Sequence, residues 1–178
     1  GPRPWDVLAY ETGAQGVRDL QRAVASADII LTCTMTTAPI IQGDWLRPGQ
    51  HLNMIGAYRP DMREADDAAL QKSKLFVDSY DTTLGHIGEL KIPLESGAID
   101  RSYLRANYYG LEAFQAGPDD IPLFKTGGGA PFNLMPACSV LAQRARGPQP
   151  RRSPRPASRA RAAFARGSLR PPALAATR

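Results

Sequence analysis

A chain of 178 residues, 43% hydrophobic and 22% charged, has the make-up of one globular domain of ordinary size. Collagen-like, wholly disordered and disulfide-rich classes are excluded by that balance and by a count of two cysteines. The net charge of +5 averages two unlike parts: residues 1–143 carry 12 cations against 17 acids, while residues 144–178 carry ten Arg and no acid.

No apolar run nears the roughly 20 residues that cross a bilayer, and no charged-then-apolar signal segment opens the chain, so a cytoplasmic location is expected. Val17, Leu20, Ala23 and Val24 recur at helical spacing and predict an amphipathic helix over 16–24. Residues 28–34, Asp-Ile-Ile-Leu-Thr-Cys-Thr, form a near-continuous apolar and β-branched run, the signature of a strand buried on both faces of a parallel sheet. A turn at 47–50 leads into a second strand over 51–57. Asp66 or Asp67 caps a short helix ending at Lys72, and 74–79 is a third strand. Strand starts at 28, 51 and 74 suit a repeating βα unit. Residues 83–96 predict a helix broken at Pro93 and ended by Gly97. Residues 121–126 predict a strand entering three glycines, 127–129, and 132–142 are helix-like but interrupted by Pro136. Cys33 and Cys138, in apolar surroundings without CxxC spacing, read as small core residues and not as a metal or redox pair.

The segment 144–178 is 25 residues of Arg, Ala and Pro in 35 and is expected to be a disordered basic tail. It reads either as an Arg-rich arm for nucleic acid, held by phosphate contacts, or as the Arg-Ala-Pro-Gly output of a GC-rich message in a shifted frame. The fold class expected is therefore α/β, a parallel sheet with flanking helices over 1–143 followed by this tail.

An open parallel sheet binds ligands outside the carboxyl ends of its strands. Residues 32–37, 56–61, 79–81 and 126–129 are the ones so placed, and small or hydroxylated residues dominate three of the four, which lets a flat polar cofactor approach closely. Other candidates read more simply as structure: His86 beside Glu89 as surface or cap chemistry, His51 as a strand start, Trp45 as loop packing. Glu64, Asp66 and Asp67 read as a solvated helix start. Asp78 fits a ribose contact or a turn cap equally, and Lys125 faces either cofactor phosphates or solvent.

Residues 27–34, 39–41, 45–53, 55–64, 77–79, 86–90, 93–94 and 123–130, in this order and spacing, resemble the ornithine cyclodeaminase/mu-crystallin family from about Gly16 to Leu141. The resemblance implies a Rossmann-like domain for NAD or NADP, here partial. It also implies a homodimeric enzyme that cyclodeaminates ornithine, reduces ketimines or oxidises alanine, with hydride moving between nicotinamide and an amino-acid α-carbon. It places Thr32, Cys33 and Thr34 along the dinucleotide, Ile55, Gly56 and Ala57 near the nicotinamide, and Thr126 as a hydroxyl contact. Tyr58 stands where ornithine cyclodeaminases keep a catalytic aspartate, and a phenol is a poor base near neutrality. With residues 59–64, this points towards the ketimine-reductase branch. The chain departs further in lacking a GxGxxG turn after a first strand, in having Pro131-Phe132-Asn133 for His-Leu-Asp, and in matching no part of the substrate and dimerisation domain. An incomplete chain without turnover of its own, or a non-catalytic remnant, is the expectation.

Overall fold

The computed structural model describes residues 12–145 and 162–165. Its strands are β1 (Ile29–Thr32), β2 (His51–Met54), β3 (Lys74–Val77), β4 (Leu104–Ala106), β5 (Pro122–Lys125) and β6 (Ala162–Ala165). They form one sheet in the order β4-β3-β5-β2-β1-β6, every pair parallel. The α/β class and the four strands expected up to residue 126 stand. The register sets Ile30, Leu52, Leu123 and Leu75 side by side across four strands, and all four are fully buried. This row is the middle of the core, which Val24, Ile41, Leu70 and Leu90 close from the flanking segments.

The helices are α1 (Leu20–Ser26), α2 (Asp67–Lys72), α3 (Tyr80–Thr83), α4 (Gly88–Ser96) and α5 (Ala130–Ala145). Helix α1 starts later than its apolar spacing predicts, because the Asp19 side chain caps it by accepting the Arg22 amide; Val17 is left outside and exposed. Helix α2 is capped by Asp66, as expected, and the same carboxylate also takes the Gly43 amide. Around 83–96 the break falls at 84–87 and not at Pro93. The Gly88 amide donates to the Arg59 carbonyl at 2.9 Å, and any side chain there would strike the Pro60 and Met62 carbonyls, so tertiary contact pins the chain at that point. Pro93 sits buried within α4, where the packing of Leu90 and Pro93 itself offsets one missing backbone bond. Gly97 ends the helix with φ of 76°, as expected. Helix α5 likewise runs through Pro136, flanked by strong helix formers.

Strand β4 escaped the sequence pattern, being three residues at the sheet edge. The core assignment of the cysteines does not hold: Cys33 and Cys138 are exposed. Thr32 and Thr34 turn inward beside Cys33, so the two-residue alternation of extended chain sends the thiol outward. The tail departs from a structureless segment where α5 reaches Ala145 and where Ala162–Ala165 pair along β1. Those four residues contain no proline, so every amide can join the ladder that an open strand edge offers. The rest of the tail lies outside the described residues. Among the described residues no helix is long and apolar enough to cross a membrane.

Replacing Leu123 by Ala, at the centre of the buried row, is expected to cost about 2–5 kcal/mol. Urea unfolding reads this as a lower midpoint at unchanged slope, and a loss below about 1 kcal/mol would mean that β5 is not central.

Candidate functional site

Because β3, β5, β2 and β1 are adjacent and parallel, the loops that follow them emerge on one rim. The ladder continues into it: the Ile55 amide donates to the Thr32 carbonyl at 2.9 Å, Thr126 to Met54 at 2.9 Å and Asp78 to Lys125 at 3.2 Å. The sequence-predicted residues 32–34, 55–57 and 126 are thereby brought together.

Three buried charges bind these loops to one another. Glu64, fully buried, accepts the Thr32 hydroxyl (2.8 Å), the Thr34 amide and hydroxyl (both 2.7 Å) and the Gly56 amide (2.9 Å). Four donors on two oxygens is the pattern of a carboxylate. It ties the β1 loop to the β2 loop so closely that a side chain at Gly56 would collide with the Thr34 backbone. Asp78 does the same between β3 and β5, accepting the amides of Ser79 (2.8 Å), Gly127 (2.8 Å) and Gly128 (3.0 Å). Lys125 links β5 to β2: its ammonium, fully buried, donates to the carbonyls of Ala57 (2.7 Å) and Met54 (3.3 Å).

A fourth charge supports the first. Glu89, in the opening turn of α4 and fully buried, accepts the backbone amides of Glu64 (2.6 Å) and Ala65 (3.0 Å). Burial pushes its carboxyl up to about 7, although those two amides and the Lys125 charge pull it down. Burial lowers the Lys125 ammonium below the ordinary lysine range, against the pull of Glu89, Glu64 and Asp78.

Several single-residue expectations change accordingly. Thr32 and Thr34 line the rim from within, their hydroxyls committed to Glu64, whereas Cys33 and Ile55 face outward. Ala57 is buried, Gly56 and Thr126 are half-buried, and Tyr58 is 57% exposed just beyond them. Lys125 faces neither phosphates nor solvent. Glu64 is no solvated helix start, although Asp66 is a cap. Asp78 caps the turn at Ser79 and the glycine loop. His86 lies exposed in the turn between α3 and α4, outside any helix and away from the inward-facing Glu89. His51 opens β2 half-buried, and burial lowers its pKa. Trp45 packs partly buried against the core. Among the described residues no group of acidic, His or Cys side chains could hold a metal.

A family model described as ornithine cyclodeaminase/mu-crystallin family matches residues 5–144. The chain belongs to this family. It is 48% identical over 134 residues to the Delta(1)-pyrroline-2-carboxylate reductase of Paracoccus denitrificans, covering 73% of this chain and 42% of that protein. It is 47% identical over 79 residues to the ketimine reductase mu-crystallin of Mus musculus, covering 44% and 24%. The structure of Thermococcus litoralis Delta(1)-pyrroline-2-carboxylate reductase in complex with NADH and L-proline superposes with a TM-score of 0.69 at 27% identity, over 79% of this chain and 46% of that one. The chain thus spans less than half the length of these relatives.

Glu89 carries a pH signature. A carboxyl whose pKa rises on folding stabilises the native state fully below its ordinary value of 4.5 and loses that contribution as pH climbs through about 7. The difference is on the order of 3 kcal/mol. The stability difference between Glu89→Gln and the unaltered chain should therefore move in the variant's favour by that order between pH 5 and pH 8. Urea unfolding at both pH values measures it. The lowered pKa of His51, common to both proteins, cancels, and a difference independent of pH would remove Glu89 as the titrating group.

Proposed function

We propose that residues 1–143 form the NAD(P)-binding unit of an imino-acid reductase that reduces cyclic ketimines such as pyrroline-2-carboxylate, with the pyridine end of the cofactor seated on the carboxyl rim. The observation that carries this reading is the 48% identity over 134 residues to the Paracoccus reductase. Ketimine reduction is favoured over ornithine cyclodeamination by Tyr58, which stands in place of the family's aspartate.

The described rim suits the pyridine ring and its ribose better than the diphosphate. The amides of Thr34, Gly56, Gly127 and Gly128 already donate to Glu64 and Asp78, so they are not available to phosphate oxygens. What remains outward is Cys33, Ile55 and the Gly56 and Thr126 edges, a surface of small and apolar groups on which a flat ring can lie. When bound, the nicotinamide supplies a hydride to the imine carbon. The chain's own contribution is to hold the ring: Ile55, Gly56 and Ala57 fix it from the β2 side, 32–34 from the β1 side, and Thr126 from β5. In this reading the exposed Tyr58 hydroxyl hydrogen-bonds the substrate nitrogen and does not take its proton.

Isothermal titration of the full chain with NADH and NADPH is expected to show saturable binding of at least one. Gly56→Val, which forces the β1 and β2 loops apart, should weaken it at least tenfold. Absence of heat with both cofactors on a folded sample would overturn the assignment.

A further inference from the structure

The charges beneath the rim do not balance. Glu64, Asp78 and Glu89 are all buried there, and Lys125 is the one cation among the described residues that lies between them. Arg63, the other buried cation nearby, turns to Asp67 at 2.7 Å, and Arg59 pairs with Asp61 on the surface at 2.9 Å. With Glu89 protonated, two carboxylates face one ammonium; with Glu89 ionised, three do. The excess cannot relax, because Glu64 is held by four donors from two loops and its own backbone is clamped by Glu89. Removed from water, such a charge acts on its neighbours with much less screening than a surface carboxylate does.

The oxidised pyridine ring carries one positive charge, and the reduced dihydropyridine carries none. We propose that the buried negative charge centred on Glu64 makes the rim distinguish the redox states of the cofactor, favouring the oxidised, cationic ring over the reduced one. Glu64 is then a specificity residue as well as a staple, acting through its field from beneath the loops that the ring contacts. The same field favours an imine substrate in its protonated, cationic form, the form that accepts a hydride most readily. The inference rests on the rim being the seat of the pyridine end, and it adds which charge state that seat prefers.

The measurable quantity is the ratio of dissociation constants, reduced over oxidised, for NADH and NAD+ or for NADPH and NADP+. Isothermal titration of the full 178-residue chain is compared with that of Glu64→Gln, which keeps the side chain's shape and removes its charge. The substitution is expected to lower the ratio about tenfold, the size of effect that a unit charge exerts over roughly 10 Å at an effective dielectric near 20. A purely structural role would weaken both forms alike and leave the ratio unmoved, and that result overturns the proposal. If near-UV circular dichroism shows that Glu64→Gln is not folded, the unaltered chain decides. Between pH 6.0 and pH 7.5 Glu89 gains charge, and His51 lies at the far end of β2. The ratio must rise over that interval, and a constant ratio overturns the proposal. Unaltered chain that binds neither form removes the seat itself, and the inference falls with it. A chain that binds both forms with a ratio insensitive to Glu64 leaves the seat standing and removes the electrostatic preference alone.

Discussion

Everything at the carboxyl end of this sheet depends on putting Glu64 in the interior and satisfying it there. An isolated carboxylate moved out of water is strongly disfavoured, so a buried one persists only where donors converge on it. Here the donors are two backbone amides and two hydroxyls taken from the loops after β1 and β2. The requirement works in both directions: the loops must come together to solvate the charge, and the charge then fixes how far apart they stand. Lys125 and Asp78 repeat the arrangement between β5 and β2 and between β3 and β5. The rim is consequently a single stitched unit and not four independent turns.

The layout of the sheet was legible because buried parallel strands announce themselves. Residues 29–32, 51–54, 74–77 and 122–125 are short segments whose inward positions are largely apolar, with turn residues near them. Parallel pairing then places the small, hydroxylated loop residues on one side, which is why Thr32, Cys33, Thr34, Gly56 and Thr126 are found together. The charged side chains were not legible. Glu64 reads as part of a solvated helix start, Lys125 as facing phosphates or solvent, and Glu89 only as a neighbour of His86, since acids and lysines are rarely buried and the partners are distant in sequence: 25 residues between Glu89 and Glu64, 71 between Lys125 and Met54. One signal pointed the right way without being decisive. Lys125 ends a largely apolar strand two residues before three glycines, a place where a side chain has little room to leave the sheet.

The helical departures have the same origin in tertiary contact. Pro93 and Pro136 mark breaks on local grounds, yet the break in 83–96 falls where Gly88 is pressed against the segment 59–62. That segment also leads into Glu64, so the position of α4 and the position of the rim carboxylate are settled by one contact. Helix α5 differs in presenting Leu134, Met135, Val140 and Leu141 outward. Leu134, Met135 and Ala137, on both sides of the proline, are good helix formers and support its continuity.

The four-donor cage around Glu64 has a thermodynamic corollary. Loops that ordinarily wait for a ligand's phosphates to organise them are here organised from below, by a group that is part of the chain. Their conformational entropy is surrendered during folding, so an arriving molecule has little left to freeze, and association should proceed with a small ordering penalty and little movement of the backbone.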